Sequence, residues 1–245
     1  MPHYIRAIRL KREEVPDFAV YPFSIPAIRH LDRLELSPGV TFFVGENGSG
    51  KSTLVEAIAV KWGFNPEGGG KNFNFATRDS HSDLQKCLVL EKPPNLRGDG
   101  YFLRAESFYT LATEIDRLDL SHAYGGRSLH EQSHGEAFLA VLNHRIHDAG
   151  LYIMDEPESA LSPQRQLSLL VILDRLVKEG AQLLIATHSP ILLAYPGALI
   201  YEIDQSGIHP TAYEETEHFR ITRDFLNRRE QMLARLLEDE LPESH

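Results

Sequence analysis

Residues 40–60 read VTFFVGENGSGKSTLVEAIAV. Residues 40–44 are apolar and β-prone, residues 45–52 match G-x-x-x-x-G-K-S, and residues 52–60 suit a helix. Strand, glycine turn and helix form the context in which this motif binds phosphate. The glycines let backbone N–H groups close around phosphate oxygens, and the helix N-terminus favours an anion. The segment therefore predicts a nucleoside triphosphate site.

Two side chains of this loop have predicted roles. Lys51 can reach the β- and γ-phosphates, and the Ser52 hydroxyl can ligate Mg²⁺. The predicted nucleotide-binding residues of the loop are Gly45, Glu46, Asn47, Gly48, Ser49, Gly50, Lys51, Ser52 and Thr53.

The composition narrows the class of protein. A chain of 245 residues can form one large α/β domain or two small ones. With 25 Lys and Arg against 35 acidic residues, the net charge of −10 argues against a broad DNA-coating surface and leaves room for a local basic patch. No apolar run approaches ~20 residues, and the N-terminus is unlike a signal peptide. The single Cys87 excludes an internal disulfide and fits a reducing cytosol, so we predict a cytoplasmic protein without membrane association.

The first half of the chain predicts strands, turns and two helices. Prolines at 16, 22, 26 and 38 favour strands and turns over helices in residues 1–44. Gly125-Gly126 separates two runs that are typical of helices. Three β-like runs cover residues 73–77, 87–90 and 101–103, and the helical runs cover residues 108–120 and 136–148.

The second half predicts a parallel sheet. The continuous apolar runs at 151–154, 182–186 and 199–203 are typical of strands buried on both faces. Ser162 and Pro163 can begin a helix that ends at Gly180, and strand–helix–strand at this spacing implies a right-handed crossover. From about residue 214 the pattern predicts one long, charged amphipathic helix with a polar tail.

A second acidic motif follows the strand at 151–154. In an open parallel sheet, ligands bind at the carboxyl ends of the strands, where Asp155 and Glu156 fall. Asp155 is placed to complete the Mg²⁺ shell with Ser52, and Glu156 to polarise the attacking water as general base. Taken alone, the Asp-Glu-Pro sequence is as compatible with a surface turn as with a catalytic site. The phosphate loop in the same chain favours the catalytic interpretation.

Three further short segments follow a characteristic order along the chain, together with the phosphate loop and the acidic motif. Residues 133–136 (Ser-His-Gly-Glu) precede the acidic strand, residues 159–162 (Ser-Ala-Leu-Ser) follow it, and Thr187-His188-Ser189 ends the next strand. Together with the two motifs above, over about residues 20–205, they resemble the signature, D-loop and switch histidine of the ATP-binding cassette (ABC) superfamily. The resemblance implies an α/β P-loop NTPase fold with a mainly parallel core sheet, an N-terminal antiparallel β subdomain and a small helical subdomain. It implies one domain, 1–245, with the helical subdomain at about 107–148 and a C-terminal helix and tail at about 214–245.

The same resemblance implies Mg-dependent ATP hydrolysis by a head-to-tail homodimer. Catalysis would involve Lys51, Glu156 and His188, the last by hydrogen-bonding the γ-phosphate. Residues 159–162 would pass between the two sites and couple them. From the partner, Ser133, Gly135 and Glu136 would contact the ATP held at Lys51.

This chain departs from the usual cassette pattern in places. His134 stands for the usual glycine and Gln132 for the usual leucine of the signature. The Q-loop residue is left open between Gln85, at a plausible distance from Lys51, and Arg104 or Glu106 after the strand at 101–103. The adenine-stacking aromatic is left open between Tyr21 and Phe23.

Histidines suggest two competing metal hypotheses. His130-Glu131-Gln132-Ser133-His134 matches the H-E-x-x-H pattern of zinc proteases, but Gly135 and the glycines before it favour a helix that begins near Ser133. A zinc site needs one helix through the whole motif, so the signature reading is preferred. His144 and His147 lie one helical turn apart, and a solvated helix face explains them better than a metal site does.

Three functional hypotheses remain. The first is a stand-alone ATPase resembling the SMC/RecF-like branch, in DNA repair or anti-phage defence, supported by the Glu-ending signature and by Pro157-Glu158. Its partners would include a second copy and a nuclease or other effector, while direct DNA binding gains no support from the net charge. The second is the nucleotide-binding subunit of a membrane transporter, and the third is an ATP-gated scaffold with negligible turnover. The complete set Lys51, Asp155, Glu156 and His188 argues against the third.

Overall fold

The computed structural model describes residues 3–71, 82–94, 98–118, 122, 126, 128–146 and 149–238, without the side chains of His134 and Glu238. Two sheets form the fold. The strands are β1 (Ala7–Leu10), β2 (Arg33–Glu35), β3 (Val40–Gly45), β4 (Leu88–Glu91), β5 (Asp99–Arg104), β6 (Gly150–Asp155), β7 (Gln182–Ala186), β8 (Leu199–Asp204) and β9 (Gly207–Pro210).

The larger sheet has the order β5-β6-β7-β3-β8-β9, and its first five strands run parallel. The sixth strand, β9, pairs antiparallel with β8 as a hairpin. The smaller sheet, β2-β1-β4, is antiparallel throughout. The α/β fold with a mainly parallel core and an N-terminal antiparallel sheet is confirmed.

The helices are α1 (Pro26–Arg29), α2 (Lys51–Trp62), α3 (Leu84–Cys87), α4 (Phe108–Arg117), α5 (His134–Arg145), α6 (Pro163–Lys178), α7 (Pro190–Leu193), α8 (Glu217–Asn227) and α9 (Arg229–Glu238). The predicted single C-terminal helix is wrong. Arg228 leaves the helical region at φ −133° and divides the segment into α8 and α9. The short α1 also interrupts a region predicted to hold only strands and turns, because Pro26 is well suited to the first helical position. Within the described residues, no helix is long and apolar enough to cross a membrane.

Apolar side chains cover both faces of the larger sheet. Phe42 and Val44 of β3 face α5 and α6, whereas Phe43, between them, packs towards α2 and the smaller sheet. This alternation follows from the two-residue period of a strand. The fully buried Gln182 joins the two sheets: its amide accepts from Ile5 N and donates to the carbonyls of Ile5 and Ser37 at 2.7–2.9 Å.

The parallel topology brings the ends of β3, β5, β6 and β7 to one edge. This edge carries the predicted site, since in such sheets the ligand lies beyond the carboxyl ends of the strands. The predicted strand at 73–77 lies outside the described residues, as do residues 119–120 and 147–148 of the predicted helices and the tail after 238. The described part of the helical subdomain consists of α4, α5 and the turn of 3₁₀ helix Leu129–Glu131 between them.

Candidate functional site

The glycine-rich loop passes directly into α2. Gly50 has φ of 103°, and a Cβ there would lie 2.8 Å from Cγ2 of Ile25, so both backbone conformation and packing require glycine. Lys51 is buried, and its ammonium donates to the carbonyls of Gly45 at 2.8 Å and Glu46 at 2.7 Å. The loop therefore curls around the Lys51 ammonium at the N-terminus of a helix.

Burial lowers the pKa of Lys51, and four nearby carboxylates oppose this effect. These carboxylates offset part of the cost of burying the Lys51 ammonium. In order of influence, these carboxylates are Glu156, Asp155, Glu158 and Glu46.

The two predicted metal ligands lie against each other. Ser52 Oγ donates to Asp155 Oδ1 at 2.9 Å, across 103 residues of sequence. Burial raises the pKa of Asp155 to about 6, although Arg104 and the Ser52 hydroxyl both lower it. A hydroxyl beside a buried, incompletely compensated carboxylate is a donor set that Mg²⁺ accepts. The residues present therefore fit the metal.

Arg104, one of the three candidates for the Q-loop residue, lies beside Asp155. It ends β5 in register with Asp155 of β6, and its Nε lies 3.6 Å from Asp155 Oδ2. Its other guanidinium nitrogens contact Glu56 at 2.5 Å and the exposed Glu106 at 3.2 Å. Gln85 instead belongs to α3, beside the antiparallel sheet, and its Oε1 is buried without a hydrogen-bond partner among the described residues. A guanidinium, rather than an amide, therefore lies next to Asp155.

Replacing Asp155 by Asn should stabilise the protein in the absence of metal at pH 8 and leave its stability nearly unchanged near pH 3. The folded pKa of about 6 lies above the ordinary 3.8, so the stability cost of ionising Asp155 builds up between these two pH values and is fully present above about pH 6. We expect a gain of about 2–3 kcal/mol in the free energy of unfolding at pH 8, from roughly two pKa units at 1.36 kcal/mol each. Urea unfolding at the two pH values measures it.

The matched control is Asp32→Asn at an exposed carboxylate, which should show no such gain. An equal gain at pH 3 and pH 8 would show that ionisation of the Asp155 carboxylate is not what destabilises the fold.

Glu156 follows Asp155 in a left-handed conformation, with φ of 51° and ψ of 51°. This conformation is unfavourable for a side chain with a Cβ, and such strain concentrates at functional sites. It is held by the hydrogen bond from Glu156 N to Ala186 O at 2.9 Å. The carboxylate is partly exposed and lies 3.5 Å from His188 Nε2. The structure thus brings together the predicted general base and switch histidine.

Glu158 is a site residue whose position the sequence did not indicate. Its Oε1 accepts from the backbone N of His188 at 2.5 Å, and the Thr187 hydroxyl donates to the same carboxyl group. Burial raises the pKa of Glu158, while these hydrogen bonds lower it. Glu158 therefore fixes the turn that carries His188. In the sequence, Pro157-Glu158 supports only the resemblance to the SMC/RecF-like branch, since no periodicity or spacing predicts this contact.

A cleft of about 360 Å³ opens above the loop, lined by Tyr21, Ile25, Asn47, Gly48, Gly50, Lys51, Ser52, Thr53 and Glu156. Tyr21 is 63% exposed and lies 3.3 Å from Thr53 Oγ1 through its hydroxyl, whereas Phe23 is 2% exposed within the core. Tyr21 is therefore the aromatic of the two that can stack on a base.

The predicted signature residues begin α5 away from this cleft. Ser133 and Glu136 form a capping box, with Ser133 N donating to Glu136 Oε2 at 3.0 Å. Arg165 of α6 reaches both, at 3.3 Å from Ser133 Oγ and 3.4 Å from Glu136 Oε1. Gly135 is buried, and a Cβ there would lie 2.8 Å from Ala160 O. Ser133, Gly135 and Glu136 do not line the cleft of their own chain.

The zinc-protease pattern does not form one helix. His130 lies in the 3₁₀ turn, Gln132 is extended, and α5 begins at His134, whose side chain lies outside the described residues. His130 instead packs on Tyr109 and lies 3.2 Å from Thr113 Oγ1. His144 is exposed, and His147 lies outside the described residues.

Two family models match parts of the chain. The model described as "AAA domain, putative AbiEii toxin, Type IV TA system" matches residues 123–194, and the model described as "AAA domain" matches residues 22–90. The first match contains the acidic strand and His188, and the second contains the phosphate loop.

Curated relatives are ATP-binding proteins. An uncharacterized ABC transporter ATP-binding protein of Haemophilus influenzae is 28% identical over 184 residues, which cover 66% of this chain and 68% of the relative. The ribose import ATP-binding protein RbsA of a Jannaschia species is 28% identical over 190 residues, 67% of this chain and 36% of the relative. This chain thus spans only about a third of the latter.

Solved structures with a similar chain path include the SMC head domain from Thermotoga maritima, at TM-score 0.49 and 17% identity, covering 85% of this chain and 99% of that one. A nucleotide-free ATP-binding cassette from an ABC transporter matches at TM-score 0.43 and 20% identity, covering 78% and 87%.

Proposed function

Because this chain belongs to the AAA/ABC-type P-loop ATPase domains, we propose that it hydrolyses ATP in the presence of Mg²⁺. The observation that carries the proposal is the convergence of Lys51, Ser52, Asp155 and Glu156 at one edge of the sheet. Positioning of the triphosphate and electrostatic stabilisation account for most catalysis of phosphoryl transfer, and this edge provides groups for both.

Each group has a proposed role. The loop N–H groups and the Lys51 ammonium bind the β- and γ-phosphates, and Tyr21 stacks on the adenine. Glu156 accepts a proton from the attacking water. His188, 3.5 Å from Glu156, donates a hydrogen bond to the γ-phosphate. Ser52 and Asp155 would hold Mg²⁺, which would offset the charge that develops on the phosphate oxygens.

The active unit is proposed to be a head-to-tail dimer. Ser133 and the amides near Gly135 lie at the N-terminus of α5, where an anion is favoured, yet they do not line the cleft that holds Lys51. They would complete the site of a second copy. Arg165, beside Ser133 and Glu136, offsets the Glu136 charge there.

Mixing two inactive variants tests this arrangement. Lys51→Met removes the phosphate-binding ammonium, and Ser133→Arg blocks the surface offered to the partner. Each homodimer should be inactive, but a mixed dimer keeps one complete site. With random pairing, half of the dimers are mixed, and each mixed dimer carries one complete site out of two. We therefore expect phosphate release to recover to at most roughly a quarter of the wild-type rate.

The Ser133→Arg protein alone should still bind ATP, which serves as the control for folding. A mixture whose rate is only the sum of the separate rates, or a Ser133→Arg protein with full turnover, would exclude sites shared between two chains.

For the biological role, we propose a stand-alone ATPase of the SMC/RecF-like type in DNA maintenance or anti-phage defence. The description of the model matched at residues 123–194, which names a toxin and a type IV toxin–antitoxin system, supports the defence branch. The nucleotide-binding subunit of a transporter is the second candidate, favoured by the names of the curated relatives. Stimulation of ATPase activity by DNA or by a nuclease partner would favour the first, and co-purification with a membrane protein would favour the second.

A further inference from the structure

A pair of histidine rings lies behind the proposed γ-phosphate contact. Nδ1 of His188 and Nε2 of His218 are 3.0 Å apart, and the ring centroids are 5.1 Å apart. His188 follows β7, and His218 belongs to the first turn of α8, thirty residues later. No motif or spacing in the sequence pointed to His218.

The N-terminus of α8 is held firmly where it meets this pair. The fully buried Thr216 caps the helix by accepting from Phe219 N at 3.4 Å. Glu217 N donates to Glu202 Oε1 of β8 at 3.1 Å, and the Tyr213 hydroxyl donates to Pro190 O at 3.0 Å. His218 is therefore presented by a fixed helix end rather than by a mobile side chain on the surface.

Both rings are neutral near pH 7. Burial lowers the pKa of His188 and of His218, and the charge of Lys51 lowers both further. The carboxylates of Glu156, Glu217, Glu202 and Glu46 act in the opposite direction, with smaller influence than burial. Two neutral imidazoles 3.0 Å apart share one hydrogen, so either ring can be the donor, and the two arrangements differ in their outer nitrogens.

If His188 donated, its Nε2 lone pair would face the Glu156 carboxylate at 3.5 Å. His218 Nδ1 would then carry a hydrogen, although this buried atom has no hydrogen-bond partner in the described part of the chain. A buried donor without an acceptor costs about 1–3 kcal/mol. If His218 donates, the hydrogen on His188 Nε2 faces the Glu156 carboxylate at 3.5 Å, which is an attractive contact although too long for a hydrogen bond. His218 Nδ1 then carries a lone pair rather than a buried hydrogen, so this arrangement is the favoured one.

We propose that His218 is a positioning residue that donates from Nε2 to His188 Nδ1 and thereby keeps the His188 hydrogen on Nε2. This role rests on the proposed function, in which that Nε2–H contacts the γ-phosphate. In the opposite tautomer, His188 would offer a lone pair to an anion, and the contact would become repulsive. The effect is the same as that of a group that orients a catalytic histidine in a triad.

Two substitutions separate orientation from mere packing. His218→Ala removes the donor, whereas His218→Gln keeps an N–H donor on a side chain of similar reach. His218→Ala should lower kcat by about 10- to 100-fold with KM for ATP within about twofold, since a lost orienting partner has effects of that size. His218→Gln should recover most of the rate. The matched histidine control is His209→Ala, whose ring contacts the hairpin residues Ser206 and Asp204.

A second measurement does not depend on ATP hydrolysis. In ¹⁵N spectra of the imidazole rings, with His188 assigned by its loss in His188→Gln, wild type and His218→Gln should show His188 protonated on Nε2. His188 protonated on Nδ1 in wild type would overturn the proposal, as would full kcat in His218→Ala or a His218→Gln rate as low as that of His218→Ala. Absence of hydrolysis by the wild-type dimer would overturn the proposed function instead, and the ¹⁵N spectra would still decide the role of His218.

Discussion

Replacing Glu156 by Gln is expected to lower the rate of ATP hydrolysis by about 10²–10⁴-fold, the range that follows loss of a positioned general base. Gln has nearly the same shape but cannot accept the proton of the attacking water. Nucleotide binding should persist, because the contacts of Lys51 and the Ser52–Asp155 pair do not involve Glu156. ATP should therefore stay bound between two protomers.

Single-turnover phosphate release measures the rate, and size exclusion with ATP measures the dimer, which should accumulate in this variant. Glu179→Gln makes the same chemical change at an exposed position after α6 and should hydrolyse ATP normally. A Glu156→Gln protein with normal turnover would require a different base, and Glu158, which is buried against His188, would be the next carboxylate to test.

Replacing Lys51 by Met is expected to weaken ATP binding by about 10²–10³-fold, corresponding to roughly 3–4 kcal/mol for the loss of a charge-assisted contact. The loss of affinity is large because the Lys51 ammonium offsets the negative charge of the nearby carboxylates. Without it, Glu156 and Asp155 repel the phosphates with little opposition. Met keeps the apolar stem of the side chain, so the buried position remains filled.

Calorimetric titration with the slowly hydrolysed analogue AMP-PNP and Mg²⁺ measures the affinity. Lys61→Met, in the last turn of the same helix but exposed, is the control and should bind normally. Unchanged affinity in the Lys51 variant would show that the loop does not hold the triphosphate.

The parts of the fold that were predictable are those in which local patterns and topology agree. The run at 40–44 is apolar, is followed by a glycine turn and forms β3, and the runs at 151–154 and 182–186 form β6 and β7 beside it. Once these strands are parallel, Asp155 must lie at the same edge as the phosphate loop. The contact between Ser52 and Asp155 follows from that topology.

The remaining features depend on tertiary contacts that leave no periodic pattern. The sequence makes Arg104 one of three candidates for the Q-loop residue. Its proximity to Asp155 follows only from the register of β5 and β6, which the sequence does not reveal. His218 approaches the site because α8 returns to the sheet edge after a hairpin. The break at Arg228 was missed because a charged amphipathic pattern continues on both sides of it.

The tight packing at Gly135 limits how the two nucleotides of a dimer could act independently. No side chain fits between the start of α5 and Ala160, and the turn at Pro157–Ala160 begins directly after Glu156. A shift of Glu156 during hydrolysis would displace this turn and, with it, the surface that the same chain lends to its neighbour. Hydrolysis in one pocket would then change the geometry of the surface that completes the other pocket.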